Sequence, residues 1–186
     1  MKITEARLKG SMIIEPDVIG DHRGYFLETY SLKRYESSGI CTEFVQDNIS
    51  FSQKNTLRGL HYQLKHTQAK LVQVLSGEVF DVAVDIRVGS PQFGEWVGVI
   101  LSAQNKNQFY IPEGFAHGFC VLSDHALFHY KCSDYYAPGD EYGVLWNDMD
   151  LGISWPIKSP ILSEKDSRLS SLCEIPKNEL PIYKGI

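Results

Sequence analysis

Paired cysteines, an excess of positive charge and long apolar runs are all missing from this chain, and each absence removes a class of protein. Lysine and arginine total 18 against 23 aspartate and glutamate, a formal net charge of −5. A general nucleic-acid binder carries the opposite footprint, so no nucleic-acid partner is expected. The four cysteines, Cys41, Cys120, Cys132 and Cys173, show no CxxC spacing, and Cys120 and Cys132 sit in apolar runs. Buried free thiols are therefore expected rather than disulfides or zinc ligands, which suits a reducing cytoplasm. No apolar run approaches the ~20 residues of a membrane helix. Met1-Lys2-Ile3-Thr4-Glu5 turns charged at once, unlike a secretory leader. No GxGxxG fingerprint of a dinucleotide site occurs. Repeats, low-complexity tracts and linkers are also lacking, so residues 1–186 read as one domain.

What remains is a strand-rich chain of 186 residues, 43% hydrophobic and 22% charged, long enough to bury a core without covalent staples. Short β-branched and aromatic runs alternate with Gly, Pro, Asn and Asp, the pattern of an all-β sandwich or barrel. Lys70 to Leu75 and Val79 to Arg87 form the clearest pair, joined across Ser76-Gly77-Glu78. In the second run Phe80, Val82, Val84 and Ile86 share one face, while Val79, Asp81, Ala83 and Asp85 share the other. Trp96 to Leu101, Gln108 to Ile111, Gly118 to Leu122 and His125 to Cys132 are further strand candidates. Helix is scarce: Ser31 to Ser38 with Ser31 as cap and Gly39 as stop, and a short turn starting near Ser163. The turn-rich segment beyond Asp148 is expected to wrap the barrel.

Polar groups sit inside these apolar runs. Arg58-Gly59-Leu60-His61-Tyr62-Gln63, Gln68-Ala69-Lys70 and Val79-Phe80-Asp81 place a guanidinium, an imidazole, an ammonium and a carboxylate on consecutive strands. Arg58 and His61 would point to opposite faces of a regular strand, because their separation is odd. Both enter one pocket only if the strand is distorted, and Gly59 is where a bulge forms easily.

Two readings of the histidines compete. Pro112-x-Gly114-x-x-His117 is similar to the second half of the cupin pattern, in which a barrel histidine binds metal. The first half needs His-x-His followed by an acid, whereas this chain has His61-Tyr62-Gln63 and then Lys70. Two histidines beside an ammonium make a poor cation site, so no metal is expected. Metal-free acid–base chemistry is the alternative. A histidine with a buried carboxylate partner is a suitable base near neutral pH, a lysine can stabilise an oxyanion, and a tyrosine can return a proton. Tyr130 shares a strand face with Ala126 and Phe128 and so points inward, where a core tyrosine with a satisfied hydroxyl is the bland reading. His61 alone could equally be structural. His22, His66, His125 and His129 read as ordinary surface or strand residues. A further cluster, Asp21 to Glu28 followed by Gln46-Asp47-Asn48, could hold a phosphate and a base, although a turn explains Asp-x-Arg-Gly equally well.

Taken in order along the chain, these segments closely resemble the dTDP-4-dehydrorhamnose 3,5-epimerase family. The resemblance runs through Asp21-x-Arg23-Gly24-x-Phe26-x-Glu28, Gln46-Asp47-Asn48-x-Ser50, Leu57 to Gln63, Gln68-Ala69-Lys70 and Asp81 to Asp85. It continues through Ile111 to Gly118, Tyr130-Lys131, Asp134-Tyr135-Tyr136, Trp146-Asn147-Asp148 and Ser163-x-Lys165-Asp166. It implies a cupin-like jelly-roll (double-stranded β-helix) barrel with a few short helices, mainly near the C-terminus. It also implies a homodimer and no metal or organic cofactor. The implied reaction inverts C3 and C5 of a nucleotide-linked 4-keto-6-deoxy sugar through an enolate. His61 is then the base in a dyad with Asp166, Lys70 the enolate stabiliser and Tyr130 the proton donor. Arg23, Phe26, Glu28, Gln46, Asp47, Asn48 and Tyr136 are implied nucleotide contacts; Arg58, His117, Glu141 and Lys165 are implied contacts near the sugar and diphosphate. The resemblance also implies that Arg23 and Glu28 act across a dimer interface. Asp81 is expected behind the site, paired with Arg58 or holding a histidine. A relative that inverts only C3 or only C5, a metal-dependent cupin dioxygenase and a non-catalytic sugar-nucleotide module remain as alternatives.

Overall fold

The computed structural model describes residues 1–185. Its strands are β1 (Lys2–Glu5), β2 (Met12–Glu15), β3 (Ile19–Asp21), β4 (Gly24–Phe26), β5 (Gln46–Gln53), β6 (Leu57–Gln63) and β7 (Lys70–Ser76). They continue as β8 (Glu78–Asp85), β9 (Trp96–Ser102), β10 (Gln108–Ile111), β11 (Phe115–Val121), β12 (His125–Cys132) and β13 (Glu141–Gly143). One short helix, α1 (Leu32–Glu36), follows Ser31, and 3-10 turns occupy Asp166–Arg168, Leu172–Glu174 and Lys177–Glu179.

The strands form two antiparallel sheets, one ordered β1-β2-β10-β7-β12-β5 and the other β13-β6-β11-β8-β9, plus a β3–β4 ribbon. Inward residues of both sheets meet in one core: Val72, Val74, Phe109 and Phe128 from the first, Val79, Ala83, Leu101 and Phe119 from the second. Each of the valine, leucine and phenylalanine side chains among them contributes about 1.5–3 kcal/mol on burial. The architecture is the expected cupin-like jelly roll.

The alternation along β8 is also as expected. Val79 and Ala83 enter the inter-sheet core, while Val82, Val84 and Ile86 pack on the outer face beneath Leu151, Leu172 and Leu180. The C-terminal segment thus covers that sheet.

One expectation is corrected. β7 and β8 are not partners: β7 lies between β10 and β12, and β8 between β11 and β9. Gly77 carries the chain from one sheet to the other at φ 84, where a Cβ would lie 2.0 Å from the His125 carbonyl oxygen. A short Gly-containing connection reads as a hairpin in sequence, and only tertiary packing separates it from a crossing between sheets. The cysteines are all free, with Cys120 and Cys132 buried but Cys41 and Cys173 exposed, so burial holds only for the two in strands. Burial pushes the Cys120 thiol up to about 12. Among the described residues no helix is long and apolar enough to cross a membrane.

Candidate active site

The pairing of β6 with β11 resolves the Arg58–His61 conflict. His61 lies opposite His117 and Arg58 opposite Phe119, so three steps along β6 match two along β11. The extra residue is a bulge at Gly59, whose φ is +116. A Cβ there would come within 2.6 Å of Gly118 Cα and of the His117 carbonyl oxygen. Glycine is required on both counts, and the bulge turns Arg58 and His61 toward the same cavity.

His61 Nε2 donates to Asp166 Oδ1 at 2.6 Å, and its Nδ1 stands 3.9 Å from Glu141 Oε1. Asp166 comes from the far end of the chain. The Ser163 hydroxyl accepts from the Asp166 backbone N–H at 3.0 Å, starting the turn that the sequence places near Ser163. The Asp166 side chain is almost sealed from solvent, and burial alone would raise its pKa. The hydrogen bond and charge of His61, with the Gly59 N–H, outweigh that and hold it below the ordinary carboxylate value.

A second pair stands beside the first. His117 Nε2 donates to both Asp81 oxygens at 2.9 and 3.0 Å, and Asp81 is fully buried. Of the two roles expected for Asp81, it holds the histidine, while Arg58 Nε donates instead to Ser52 Oγ at 2.9 Å.

Lys70 and Tyr130 line the cavity from the other sheet. Burial pulls the Lys70 ammonium below the usual lysine value, with Cys132, Glu141 and Asp81 drawing it partly back. Part of the residue stays accessible, at the cavity wall. Tyr130 packs against the core. Burial, then Cys132 and Glu141, raise its hydroxyl above the usual tyrosine value, against a smaller pull from Arg58. The hydroxyl is therefore protonated at neutral pH and available as a donor.

The cavity that these groups share measures about 480 Å³ and is also lined by Arg58, His117, Glu141 and Lys165. An adjoining space of about 290 Å³, lined by Gln46, Asn48 and Tyr136, shares His61, Lys70, Tyr130 and Glu141 with it. Gln46 Nε2 donates to Asn48 Oδ1 at 3.0 Å, and Gln46 Oε1 accepts the Tyr136 backbone N–H at 2.9 Å. Lys165 forms an ion pair with Glu141. Phe119 and Phe128, stacked with ring centroids 4.1 Å apart, give the cavity an apolar wall that the motifs do not announce. Strand alternation from His117 and Tyr130 is the signal that points to both.

Four predicted contacts lie elsewhere. Asp47 alternates away from Gln46 and Asn48, accepting from Lys131 at 2.7 Å and lying 3.3 Å from His129. Arg23 is paired with Asp21, Glu28 with Arg34, and Phe26 is 68% exposed. The last three belong to the β3–β4 ribbon and the segment after it, and none lines the cavity within one chain.

A jelly roll whose cavity gathers two histidine–carboxylate pairs, an ammonium and a protonated tyrosine has the equipment of an isomerase that works by moving protons. The profile described as dTDP-4-dehydrorhamnose 3,5-epimerase matches residues 5–174, and the chain belongs to that family. A dTDP-4-dehydrorhamnose 3,5-epimerase of Shigella flexneri is 55% identical over 168 residues, 89% of this chain and 93% of that protein. A Legionella pneumophila dTDP-6-deoxy-D-glucose-3,5-epimerase, solved with dTDP-4-keto-L-rhamnose, superposes with a TM-score of 0.96. It shares 55% identity across 99% of each chain. The Bacillus anthracis dTDP-4-dehydrorhamnose 3,5-epimerase, solved with TDP and PPi, gives a TM-score of 0.89 at 47% identity, covering 91% of this chain and 98% of that one.

Proposed function

We propose that this epimerase converts dTDP-4-dehydro-6-deoxy-D-glucose into dTDP-4-dehydro-L-rhamnose, with His61 as base, Asp166 as its partner, Lys70 as enolate stabiliser and Tyr130 as returning acid. Both inverted centres, C3 and C5, adjoin the C4 ketone, so one carbonyl acidifies both protons. His61 takes the proton at Nδ1 while Nε2 stays bonded to Asp166, and the C–H electron pair moves into the C4 enolate. Lys70 donates to that oxygen. Tyr130 then delivers its proton to carbon from the opposite side, and imidazolium and tyrosinate are reset by exchange with water.

The observation that carries this reading is the placement of base and acid on opposite walls of one cavity. His61 stands on β6 of one sheet, while Tyr130 stands on β12 of the other. Removal on one face and return on the other is what inversion requires. The magnitudes agree: an oxyanion donor is worth about 3 kcal/mol, and positioned proton transfer contributes roughly 10²–10⁴-fold.

Gln46, Asn48 and Tyr136 then hold the nucleotide, and Arg58, His117, Glu141 and Lys165 the sugar and diphosphate. Asp81 orients His117 from behind. Residues 1–186 act as one domain within a homodimer, in which Arg23, Phe26 and Glu28 of each copy serve the partner's site. Exposed Ile19, Phe26, Ile49 and Phe51, at 68%, 68%, 62% and 59%, support such an association.

Proton NMR in D₂O with the chelator-treated protein and dTDP-4-dehydro-6-deoxy-D-glucose tests the assignment. Deuterium entering both C3 and C5, with a rhamno-configured product trapped by a reductase, is the expected result. Label at one centre alone makes the protein a mono-epimerase, and no exchange despite binding leaves a binding module.

A further inference from the structure

A single base that opens two carbon centres has to lose its proton between them. The proton taken by His61 arrives at Nδ1. Nε2 offers no exit, because it is bonded to Asp166 at 2.6 Å and the Asp166 side chain is only 4% exposed. Arg58, Lys70 and Lys165 are donors rather than acceptors, and His117, opposite His61 in register, is buried and tied to Asp81. Among the described residues, Asp166 and Glu141 are the acidic side chains that line the cavity, and of the two only Glu141 also lines the adjoining space. β13 pairs with β6 so that Gly143 lies opposite His61 and Glu141 opposite Gln63. Glu141 is thus a diagonal neighbour on the face that carries His61. Its Oε2 is held by Lys165, and its Oε1 stands 3.9 Å from His61 Nδ1. β13 is the outermost strand of its sheet, and the Glu141 side chain is 26% exposed. One carboxylate therefore faces both the nitrogen that receives the proton and the solvent.

We propose that Glu141 is the proton exit of His61: it accepts the proton from Nδ1 of the imidazolium and passes it to water, which readies the base for the second centre. The N–H bond at Nδ1 breaks and an O–H bond forms at Oε1. That proton then leaves to a water molecule, restoring neutral imidazole and carboxylate. The 3.9 Å separation closes by a side-chain rotation or is spanned by one water, and such contacts often tighten only once substrate is bound. Glu141 acts through His61, so its effect falls on the second proton removed rather than the first. This role is separate from its contact with the sugar, and it rests on the reading of the cavity as a two-centre epimerase site.

Single-turnover reaction in D₂O, quenched at intervals and read by mass spectrometry, counts the deuterium atoms that enter the sugar. Glu141→Gln keeps the shape but takes no proton. It is expected to incorporate the first deuterium at a near-wild-type rate and the second about 10²-fold more slowly, the lower end of what positioned proton transfer contributes. Singly labelled sugar should therefore accumulate. Glu141→Ala, shown to be folded by its melting curve, should regain turnover at saturating substrate as formate is raised at constant ionic strength, because a free carboxylate enters the vacated space. Glu141→Gln should not respond to formate. Equal slowing of the first and second deuterium overturns the proposal and leaves Glu141 as a sugar contact alone, as does a folded Glu141→Ala whose turnover ignores formate. Exchange by the wild-type protein at one centre or none instead overturns the two-centre reading itself.

Discussion

His61 and His117 face each other across β6 and β11, and each is tied to its own carboxylate, Asp166 at 2.6 Å and Asp81 at 2.9 Å. The two pairs differ in origin. Asp81 is on β8, the other neighbour of β11, so its position follows from strand pairing alone. Asp166 arrives through the C-terminal wrap, and the Gly59 N–H donates to it at 3.5 Å. The bulge that turns His61 into the cavity thus also helps to hold its partner.

Lys70 gives the first prediction. Its ammonium has no carboxylate partner within hydrogen-bonding distance among the described residues, and burial disfavours its charge. Lys70→Met is expected to lower kcat by about 10² or more, with KM changed little, because the contact strengthens as the enolate forms. The same variant should melt no lower than wild type, since a poorly compensated buried charge has been removed. An effect confined to KM would contradict the role.

Tyr130 separates proton removal from inversion. In Tyr130→Phe the base and enolate stabiliser remain, so deuterium exchange from D₂O should continue while formation of the inverted product slows. The ratio of exchange to inversion, followed by NMR, is the measurement. Equal losses of both would leave Tyr130 without a specific role as returning acid.

Asp166 links the site to acid stability. Its pKa in the folded protein lies below the reference value of 3.8, so the unfolded chain binds its proton first as pH falls. The stabilisation is complete above that reference value and is lost as pH drops through the folded value. Denaturant unfolding should therefore separate wild type from Asp166→Asn at pH 7 and bring them together toward pH 2. Turnover of Asp166→Asn should fall across the neutral range, because the amide no longer stabilises the imidazolium. A constant stability gap at both pH values would show that the carboxylate's ionisation does not contribute.

Gly59→Ala isolates the bulge. The new Cβ would meet backbone atoms at 2.6 Å, an overpacking that costs about 1–3 kcal/mol, and the left-handed φ adds roughly another 1–2. Gly89, with φ +88 and open space around it, provides a control in which only the second contribution applies. Urea unfolding should rank wild type above Gly89→Ala and Gly89→Ala above Gly59→Ala. Equal losses would mean that the strand can move away from β11.

The distortion at Gly59 is legible in the sequence, because the odd Arg58–His61 spacing leaves no regular strand that directs both inward. Strand alternation likewise places Tyr130, and the two faces of β8 follow from Phe80 to Ile86. The same alternation, applied to Gln46-Asp47-Asn48, sets Asp47 apart, a parity that is lost when the three residues are taken as one block. The hairpin expected at Gly77 fails for a different reason. Ser76-Gly77-Glu78 fits a hairpin and a crossing between sheets equally well, and the choice depends on β10, β11 and β12, which come later in the chain. Asp166 lies 105 residues from His61, and no periodicity spans such a gap; only the family resemblance joins them.

Arg23 tests the association of two copies. Within one chain it is paired with Asp21 and lies outside the cavity, so a role in the reaction requires delivery to a partner. Arg23→Ala and His61→Ala are each expected to reduce activity when assayed alone. In a mixed dimer the Arg23→Ala copy keeps its own His61 and borrows an intact Arg23 from its partner, giving one complete site. Unfolding and refolding the two variants together in equal amounts produces such dimers at random. Recovery to about a quarter of wild-type activity is then expected for a two-fold symmetric pair. If each chain uses its own Arg23, the mixed sites are all defective and the mixture gives no more activity than the average of its components.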